Sequence, residues 1–541
     1  MEERPEVVIA GMAGTFPGCA TIEDLQEALF QKSHLVTEDE SHWEVCYDKD
    51  EMDCPMFSGS ALSHEKFDAT FFNIPFSYPS VMDPIMKKCL ETSVEAVIDS
   101  GFNPKQLEGS NTAVYVTYDN SESELILTYT ITEKVLMGNC RALTANRLSF
   151  ALNLQGPSYS FQGGYGSALH YFDHAKRQLE EGRLDGAIIV CANNIMSPRF
   201  LAIYHGMGFA SVDGKCRAFD EHAQGYAVSD ACAAFFLQRT RDARRNWATI
   251  IGADFRFFGC KTDGNFMSFE EEPAKKMLRE NYVKWNIDPT TVTYIEADGC
   301  GFKEREDKEI DVIAETFCKN RKSPLLVGSL KSNIGHAEAA AAAAGIVKAV
   351  IALNKSKIPP SINVDTPNYK LAANKMKVVT ESTPLKGNLV GVNAIGFAGG
   401  FGHLLLQQNV KSASLKEIEE TLPQIMLMSS RTEEGIEHIL QRLKSTPVTP
   451  EFATLLNGVF QENIKGHMFR GYTLKHANGM ISDTKPQRVD GDKGPIWWVF
   501  SGMGSQWNGM GAQLMHIPLF RDVIDRCDDI LRPRGVDIKH I

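Results

Sequence analysis

Residues 325–345 read LLVGSLKSNIGHAEAAAAAAG, and this stretch contains the most specific pattern in the chain. Its first part, Leu325–Gly328, has the apolar composition of a buried strand, and a polar segment with Lys331 and His336 follows. The alanine-rich run after it is too short to span a membrane and is interrupted by Lys348, which predicts a buried helix. A strand followed so closely by a helix predicts a layered α/β domain.

Similar strand and helix units occur on both sides of this stretch. Val7–Gly11, Thr112–Thr117 and Ala187–Cys191 have the β-branched, apolar composition of strands. Ser167–Glu181 repeats apolar residues at helical spacing, and Lys308–Cys318 is a second predicted helix. Strands that alternate with helices predict a mainly parallel sheet covered on both faces, and two successive rounds of the pattern predict two halves.

The regular alternation of predicted strands and helices ends at about residue 410. Gln424–Met428 is a predicted strand and Glu433–Leu443 a predicted amphipathic helix, which together indicate a small α+β domain. A polar segment rich in Asp, Lys and Gly then leads to another predicted strand, Ile496–Phe500, and to the glycine-rich turn Ser501–Trp507. This pattern predicts the entry to a further domain, whose core needs more residues than the chain supplies.

Composition and charge exclude several functional classes. The 541 residues contain 56 Lys and Arg against 68 Asp and Glu, and the net charge of −12 disfavours a nucleic-acid binder. No apolar run is long enough for a membrane span, and the charged first residues do not form a secretory signal. The 12 cysteines include no CxxC pair, and the histidines lack metal-ligand spacing. We therefore expect a cytoplasmic protein with neither a metal nor another cofactor.

Several ordered motifs resemble the ketosynthase (β-ketoacyl synthase) domain of animal-type fatty acid synthases and related polyketide synthases. The motifs are Ala10–Gly18, Met82–Pro84 with Leu90–Thr92, Ala145–Ser149, Gly156–Ser158, Lys331–Ala340 and Gly396–Gly400. Ser429–Glu434 and Gly466–Thr473 resemble the linker of animal fatty acid synthases, and Phe500–Trp507 resembles the start of their malonyl/acetyl transferase.

The resemblance implies a thiolase-type α-β-α-β-α layered fold with two duplicated halves. We expect the ketosynthase-like domain over residues 1–410, a linker domain over 411–490 and the truncated start of a transferase over 491–541. The family's transferase carries a Gly-His-Ser-Xaa-Gly motif, which does not occur before Ile541. We therefore expect no transferase activity, in either a fragment of a longer protein or a shortened gene product.

The family's chemistry uses one cysteine nucleophile and two histidines. The nucleophile's run aligns with Gln162–Leu169, which places Tyr165 at the position of the cysteine. The first histidine's motif reads Asp298–Phe302 here, so that an aspartate replaces the histidine. The second histidine is His336, with Lys331 five residues before it, and both family positions are retained.

These two substitutions predict the loss of condensation. A phenol is almost wholly protonated at neutral pH, and the Tyr165 ring is expected to project into the space of the acyl thioester. An anionic Asp298 beside a developing enolate would raise the barrier. Tyr165 is expected to fill a vacated pocket, with its hydroxyl bonded to His336 or Asp298. An acid–base cluster of the same three residues that performs another reaction is the alternative.

Other positions are candidates for substrate binding. Phe397 matches the family's phenylalanine gate, and Phe401 and His403 follow it; the default interpretation of His403 is a satisfied core histidine. Cys300 is either a relocated thiol nucleophile or a buried hydrophobic residue. Lys331 and Glu338, on either side of His336, are expected to form a structural ion pair.

The resulting hypothesis is a catalytically degenerate ketosynthase that serves as a homodimeric scaffold or as an acyl-binding pseudoenzyme. Its ligand would be an acyl or malonyl thioester on a carrier protein or coenzyme A, or a free fatty acyl chain. One alternative is an active β-ketoacyl synthase or malonyl-thioester decarboxylase in fatty acid biosynthesis. Another is an interaction module that pairs with an active synthase subunit.

Overall fold

The architecture is that of a computed structural model. It describes residues 5–38, 56–61, 66–119, 122–123, 133–259, 266, 268–409, 424–445, 449–475, 481–489, 495, 497–502, 504–505 and 507–540. The chain divides into two compact units, residues 1–409 and 410–541. Nowhere in these described ranges does a helix have the length and apolar character needed to cross a membrane.

The first unit contains strands that we number in chain order. They are β1 (Val7–Thr15), β2 (Ser58–Gly59), β3 (Thr112–Thr117), β4 (Ser158–Ser160), β5 (Gly186–Asn193), β6 (Val228–Ser229), β7 (Ala231–Arg239), β8 (Ala248–Phe257), β9 (Tyr294–Glu296), β10 (Leu325–Gly328), β11 (Lys357–Ile358), β12 (Met376–Val378), β13 (Thr383–Pro384), β14 (Leu389–Ile395) and β15 (Gly400–Gln408).

The helices of the same unit are numbered likewise. They are α1 (Ile22–Phe30), α2 (Pro84–Asp99), α3 (Glu133–Asn139), α4 (Ala142–Ala151), α5 (Ser167–Glu180), α6 (Pro198–Gly206), α7 (Glu271–Trp285), α8 (Lys303–Ile313), α9 (Lys331–Ile334), α10 (Ala341–Lys355) and α11 (Tyr369–Ala373).

The main sheet is built twice from the same arrangement. Its strand order is β12-β10-β9-β14-β15-β8-β1-β7-β5-β3-β4. In one half β7 lies antiparallel between β1 and β5, and β3 and β4 continue parallel to β5. In the other half β15 lies antiparallel between β8 and β14, and β9 and β10 continue parallel to β14. This repetition confirms the predicted two halves, which meet where β1 pairs with β8.

Helices cover both faces of the sheet and also fill the space between its halves. The core cluster around α5 and α10 contains residues from strands of both halves, so these two helices form a central layer. The helices α2 and α4 cover the outer face of the first half, and α7 and α8 cover that of the second. The layers therefore follow the predicted α-β-α-β-α order. Lys348 in α10 is buried and forms an ion pair with Glu296, 3.0 Å from Nζ to Oε2.

The second unit has its own small sheet and core. Its elements are β16 (Gln424–Ser430), α12 (Glu433–Ser445), α13 (Pro450–Phe460), β17 (Phe469–Lys475), β18 (Ile481–Asp483), β19 (Gln487–Arg488) and α14 (Pro518–Leu531). The first strand and helix confirm the predicted ones. Strand β17 pairs with β16, β18 and β19. Residues 497–500, within the predicted later strand, have no strand partner among the described residues, and their side chains are exposed.

Candidate active site

Tyr165 lies in a tight turn at the start of the central helix α5. The turn Gly164–Gly166 directly precedes Ser167, the first residue of the helix. Gly164 has φ of +72°, in the left-handed region that glycine adopts most easily. The Ser167 hydroxyl donates to the Gly164 carbonyl and accepts from the Gly163 amide, at 2.7 and 3.1 Å. The turn is thus fixed by the helix that follows it, and it directs Tyr165 into the protein.

The Tyr165 ring is enclosed by other rings. Its centroid lies 4.5 Å from that of His336 and 4.3 Å from that of Phe397. Tyr226 also packs against the imidazole, at 4.5 Å between centroids. Tyr165 is 1% exposed and His336 is 0% exposed. Because these rings are in mutual contact, the space beside His336 is occupied by the phenol.

The Tyr165 hydroxyl has other partners than we expected. It lies 3.5 Å from the Tyr226 hydroxyl and interacts with the Glu338 carboxyl, whereas the contact with His336 is made by the ring. The expectation that this hydroxyl bonds to His336 or Asp298 is therefore wrong. Burial, and then the Glu338 carboxyl, raise the pKa of Tyr165 well above its ordinary value. The phenol is protonated at neutral pH and cannot act as an anionic nucleophile.

Glu338 is a buried carboxyl that interacts with the hydroxyls of two tyrosines, Tyr165 and Tyr204. Its Oε2 accepts a hydrogen bond of 3.1 Å from the Tyr204 hydroxyl, and it also interacts with Tyr165. Burial raises the pKa of Glu338 to about 8, although its hydrogen bonds to the two tyrosines act in the opposite direction. Glu338 therefore carries a proton over much of the neutral range.

His336 is a neutral imidazole whose hydrogen-bonding direction is determined by its surroundings. Its Nδ1 accepts a 3.0 Å hydrogen bond from the Glu338 amide, which leaves the ring proton on Nε2. The Nε2 atom is buried without a hydrogen-bond partner among the described residues. Burial, followed by the charge of Lys331, lowers the pKa of His336 well below its usual value. The ring can donate a hydrogen bond, and the Tyr165 and Tyr226 rings pack against it.

Asp298 is held between two cations. Its Oδ1 lies 3.0 Å from Lys331 Nζ, and its Oδ2 lies 2.9 Å from Arg305 Nη2. All three side chains are more than nine-tenths buried. Burial by itself would raise the pKa of Asp298, but Lys331 and then Arg305 outweigh it and hold this pKa well below the usual range. The carboxylate therefore remains ionised and cannot act as a proton donor.

The predicted ion pair between Lys331 and Glu338 is wrong. Lys331 Nζ contacts both the carboxylate and the backbone carbonyl of Asp298, the latter at 2.5 Å. Glu338 instead interacts with tyrosine hydroxyls, and its Oε1 has no hydrogen-bond partner among the described residues. Lys331 pairs with Asp298 because that carboxylate is ionised, whereas burial favours the protonated form of Glu338.

Cys300 lies close to these charges but lacks the properties of a nucleophile. Its side chain is 0% exposed, and burial raises the pKa of its thiol to about 12, which outweighs the opposite effect of Arg305. The thiolate is the reactive form of cysteine, so a thiol that stays protonated is inert. This placement favours the interpretation of Cys300 as a buried hydrophobic residue.

The three remaining candidates lie in different places. Phe397 contacts Tyr165 and also stacks on Phe266 at 5.7 Å. Phe401 is fully buried on β15 and stacks on Phe269 at 5.2 Å. His403 Nε2 lies 3.0 Å from the Tyr282 hydroxyl, and its Nδ1 lies 2.7 Å from Asn393 Oδ1. His403 is thus a satisfied core histidine, and its proposed contact with substrate has no support in this position.

Three residues of the site were not among the candidates predicted from the sequence. Tyr204, Tyr226 and Arg305 all contact its central groups, and none was a candidate. Tyr226 is the second residue of the run GYAVSDA at 225–231, which resembles the family's Gly-Tyr-Xaa-Arg-Ser-Glu-Gly run, and this was the available signal. Arg305 occurs among alternating charges at the start of α8, a pattern typical of a solvated surface, but it is only 4% exposed. Among the described residues, no group of three or more His, Cys, Asp or Glu could hold a metal ion.

Comparison with protein families gives consecutive matches along the chain. The N-terminal domain of β-ketoacyl synthase matches residues 4–243, and its C-terminal domain matches 248–365. The C-terminal extension of ketoacyl synthetases matches residues 366–474, and the acyl transferase domain matches 497–541.

Individual proteins agree with these matches. A fatty acid synthase of the goose Anser anser anser is 32% identical over 64% of this chain and 98% of its own sequence. The 6-methylsalicylic acid synthase of Aspergillus terreus is 28% identical over 100% of this chain, which spans 32% of that protein's length. Among solved structures, the ketosynthase of module 6 of the Bacillus subtilis bacillaene synthase has a TM-score of 0.76 at 24% identity. The aligned region covers 87% of this chain and 83% of that one.

An oxazolomycin ketosynthase domain from Streptomyces albus aligns with a TM-score of 0.77 at 22% identity, and covers 87% of this chain and 86% of that one. At this identity the two solved structures establish the fold, and the duplicated sheet with its central pair of helices is the fold that they share. The matched domains and the similarity to the goose protein establish the family of this chain. The chain belongs to the β-ketoacyl synthase family, together with fatty acid synthases and polyketide synthases.

Proposed function

We propose that this chain is a ketosynthase-fold domain that does not catalyse condensation and that acts as a homodimeric scaffold. The observation that carries the proposal is the position of Tyr165, whose ring fills the space beside His336 and is 1% exposed. A phenol held protonated by burial has no nucleophilic form to offer to an acyl thioester.

The second substitution supports the same proposal. A histidine in the position of Asp298 could donate a hydrogen bond to a developing enolate, whereas an ionised carboxylate repels it. Asp298 is already saturated by Lys331 and Arg305, so it offers no free group to a substrate. A site of this kind that lacks both the cysteine nucleophile and the first histidine loses several orders of magnitude in the rate of condensation.

The filled pocket also favours the scaffold over an acyl-binding role. Phe397 contacts the Tyr165 ring, and Phe401 is packed in the core against Phe269. An acyl or malonyl thioester, on a carrier protein or on coenzyme A, would have to displace the phenol before it could contact His336. A free fatty acyl chain meets the same obstacle.

Two assays of the purified chain test the proposal. The first measures the elongation of an acyl-carrier thioester by a malonyl-carrier thioester, with an active ketosynthase as the positive control. The second analyses co-purifying lipids by mass spectrometry. We expect no elongation above the background and no lipid in stoichiometric amount. Elongation at an ordinary rate, or an acyl adduct on any cysteine, would remove the proposal.

A second candidate function is the decarboxylation of a malonyl thioester. It is favoured by one observation: His336 carries its proton on Nε2, and this donor has no hydrogen-bond partner among the described residues. Such a donor is suited to an enolate oxygen. Carbon dioxide release from malonyl thioester that disappears in the His336→Ala variant would establish this function, and its absence in the unmodified chain would exclude it.

A third candidate is an interaction module that pairs with an active synthase subunit. The discriminating experiment mixes this chain with an active homologue that carries a different affinity tag. Recovery of self-paired dimers alone supports the homodimeric scaffold, and recovery of mixed dimers supports the interaction module.

A further inference from the structure

The buried charges around Asp298 include a residue that has no role in the proposal above. Arg305 lies in the first turn of α8 and is 4% exposed. Its Nη2 donates to Asp298 Oδ2 at 2.9 Å and to the Ile395 carbonyl at 2.5 Å. Its Nε and Nη1 are buried without a partner among the described residues. Arg305 is thus a buried cation whose charge is compensated by one carboxylate, that of Asp298.

Other carboxylates nearby are already occupied. Glu306 accepts hydrogen bonds from the Gly301 and Phe219 amides. Glu309 accepts from the Asp298 and Gly299 amides, at 2.8 and 3.0 Å. Among the described residues, Asp298 is the one carboxylate within ion-pair distance of Arg305.

We propose that Arg305 is a positioning residue that fixes residue 298 as an aspartate, so that the catalytic histidine position cannot be restored while Arg305 remains. The inference rests on the proposed function and deepens it. Inactivation would involve a buried charge pair as well as the exchange of single catalytic residues.

Two physical effects support this coupling. First, Asp298→His alone removes the carboxylate that compensates both Lys331 and Arg305, and an uncompensated buried charge is strongly destabilising. Second, an imidazole is larger than a carboxylate, and the guanidinium already lies 2.9 Å from the Asp298 oxygen in a closed interior. Extra volume in a well-packed core forces neighbouring groups out of place.

The test introduces the family's nucleophile and histidine into the full chain, with and without Arg305. The three proteins are Tyr165→Cys/Asp298→His, the same with Arg305→Ala, and the same with Arg305→Lys as the control that keeps the cation. We expect the Arg305→Ala protein to have a melting temperature at least about 5 °C above the other two. We also expect its malonyl-thioester decarboxylation per folded protein to be at least about tenfold faster.

A third readout separates positioning from simple stabilisation. The pKa of the imidazole introduced at position 298 is measured by NMR in each protein. A neighbouring cation lowers the pKa of an imidazole, so we expect a higher pKa after Arg305→Ala than after Arg305→Lys. If the protein that retains Arg305 melts at the same temperature and reacts at the same rate as the Arg305→Ala protein, the inference is overturned.

A second experiment applies even if the triple variants do not fold. Asp298→Asn and Arg305→Met are made singly and together in the otherwise unmodified chain. We expect each single variant to lower the melting temperature. The double variant should recover part of the loss, because the guanidinium is then no longer buried without its carboxylate, and only Lys331 still lacks that partner. Additive losses would contradict the coupling. Condensation by the unmodified chain would instead refute the proposed function and leave the ion pair unaffected.

Discussion

Two buried side chains at the centre of this site have strongly shifted pKa values, Tyr165 through burial and Asp298 through its neighbouring cations. Tyr165 is a bulky phenol without solvent contact, and Asp298 is a carboxylate enclosed by Lys331 and Arg305. The phenol stays protonated because burial raises its pKa, and the carboxylate stays ionised because Lys331 and Arg305 hold its pKa low. His336 is packed against the Tyr165 and Tyr226 rings.

We expect Tyr165→Ala to destabilise the protein by about 3–5 kcal/mol, because the ring fills a closed interior and its removal leaves a cavity. Tyr165→Phe keeps the ring and is expected to cost no more than about 1 kcal/mol. Tyr369→Ala, at a residue that is 64% exposed, is the control and should change stability by less than about 0.5 kcal/mol. Urea denaturation measures all three, and equal losses in the first two variants would contradict the filling role of the ring.

We expect Glu338 to make stability fall as pH rises. Burial raises the pKa of Glu338 from 4.5 to about 8, so between these values the folded state retains a proton that the unfolded state has released. The contribution of Glu338 to the free energy of unfolding is fully present below pH 4.5. Roughly a few kcal/mol of it is lost as the pH increases towards 8.

The measurement compares the unmodified chain with Glu338→Gln at a series of pH values. The amide can accept the Tyr204 hydrogen bond, but it does not titrate. The stability of the unmodified chain minus that of the variant should therefore decrease with rising pH. A difference that is constant or increases with pH would show that Glu338 is ionised in the folded state.

The positions of the site residues were predictable to different degrees. Tyr165, Asp298, Lys331 and His336 follow from short motifs, and the structure brings all four into one buried region. Arg305 was not predictable, because its position among alternating charges is indistinguishable from that of a surface residue. Only packing reveals that its charge is buried.

At the level of elements, the close approach of β1 and α2 depends on a glycine in the strand. A Cβ atom on Gly11 would lie 2.0 Å from the Ala96 carbonyl oxygen and 2.8 Å from the Ser100 amide nitrogen. Both are backbone atoms near the end of α2, which cannot move independently of the helix. The strand and the helix therefore pack at a distance that admits no side chain.

We expect Gly11→Ala to lower the free energy of unfolding by about 1–3 kcal/mol, because the helix must move away from the strand. Gly206→Ala is the matched control: it ends the helix α6, and nothing lies within 4 Å of its added Cβ. This control should leave stability unchanged or raise it by up to about 1 kcal/mol. Chemical denaturation measures the free energy of unfolding of both variants. An unchanged value for Gly11→Ala would show that the strand and the helix can move apart without cost.

On the scale of the whole molecule, the first unit presents the edge strand β4. Among the described strands, β4 pairs only with β3, on one side. The Val114 amide donates to the Pro157 carbonyl and the Phe161 amide donates to the Val116 carbonyl. Because backbone groups alternate along a strand, those of Ser160 point away from β3. Exposed edge strands are templates for pairing with another chain, which makes β4 a candidate for the proposed homodimer contact.

We expect Ser160→Pro to weaken the dimer by at least about tenfold, because proline removes the outward amide and leaves the bonds to β3 in place. Ser160→Ala retains that amide and should dimerise like the unmodified chain. Sedimentation equilibrium measures the dissociation constants. A Ser160→Pro protein that dimerises with unchanged affinity would exclude this edge from the interface.

The sequence by itself determined the family, the duplicated layered fold and the candidate positions Tyr165, Asp298, Lys331 and His336, because each is encoded in local motifs and in the periodicity of apolar residues. The tertiary structure decided which groups are neighbours: the Asp298 and Arg305 pair, the buried Glu338 beside Tyr204, and the hydrogen bonds of His403 to Tyr282 and Asn393. Charge pairing and pKa values depend on distance and burial, and these quantities arise only when elements distant in sequence pack together.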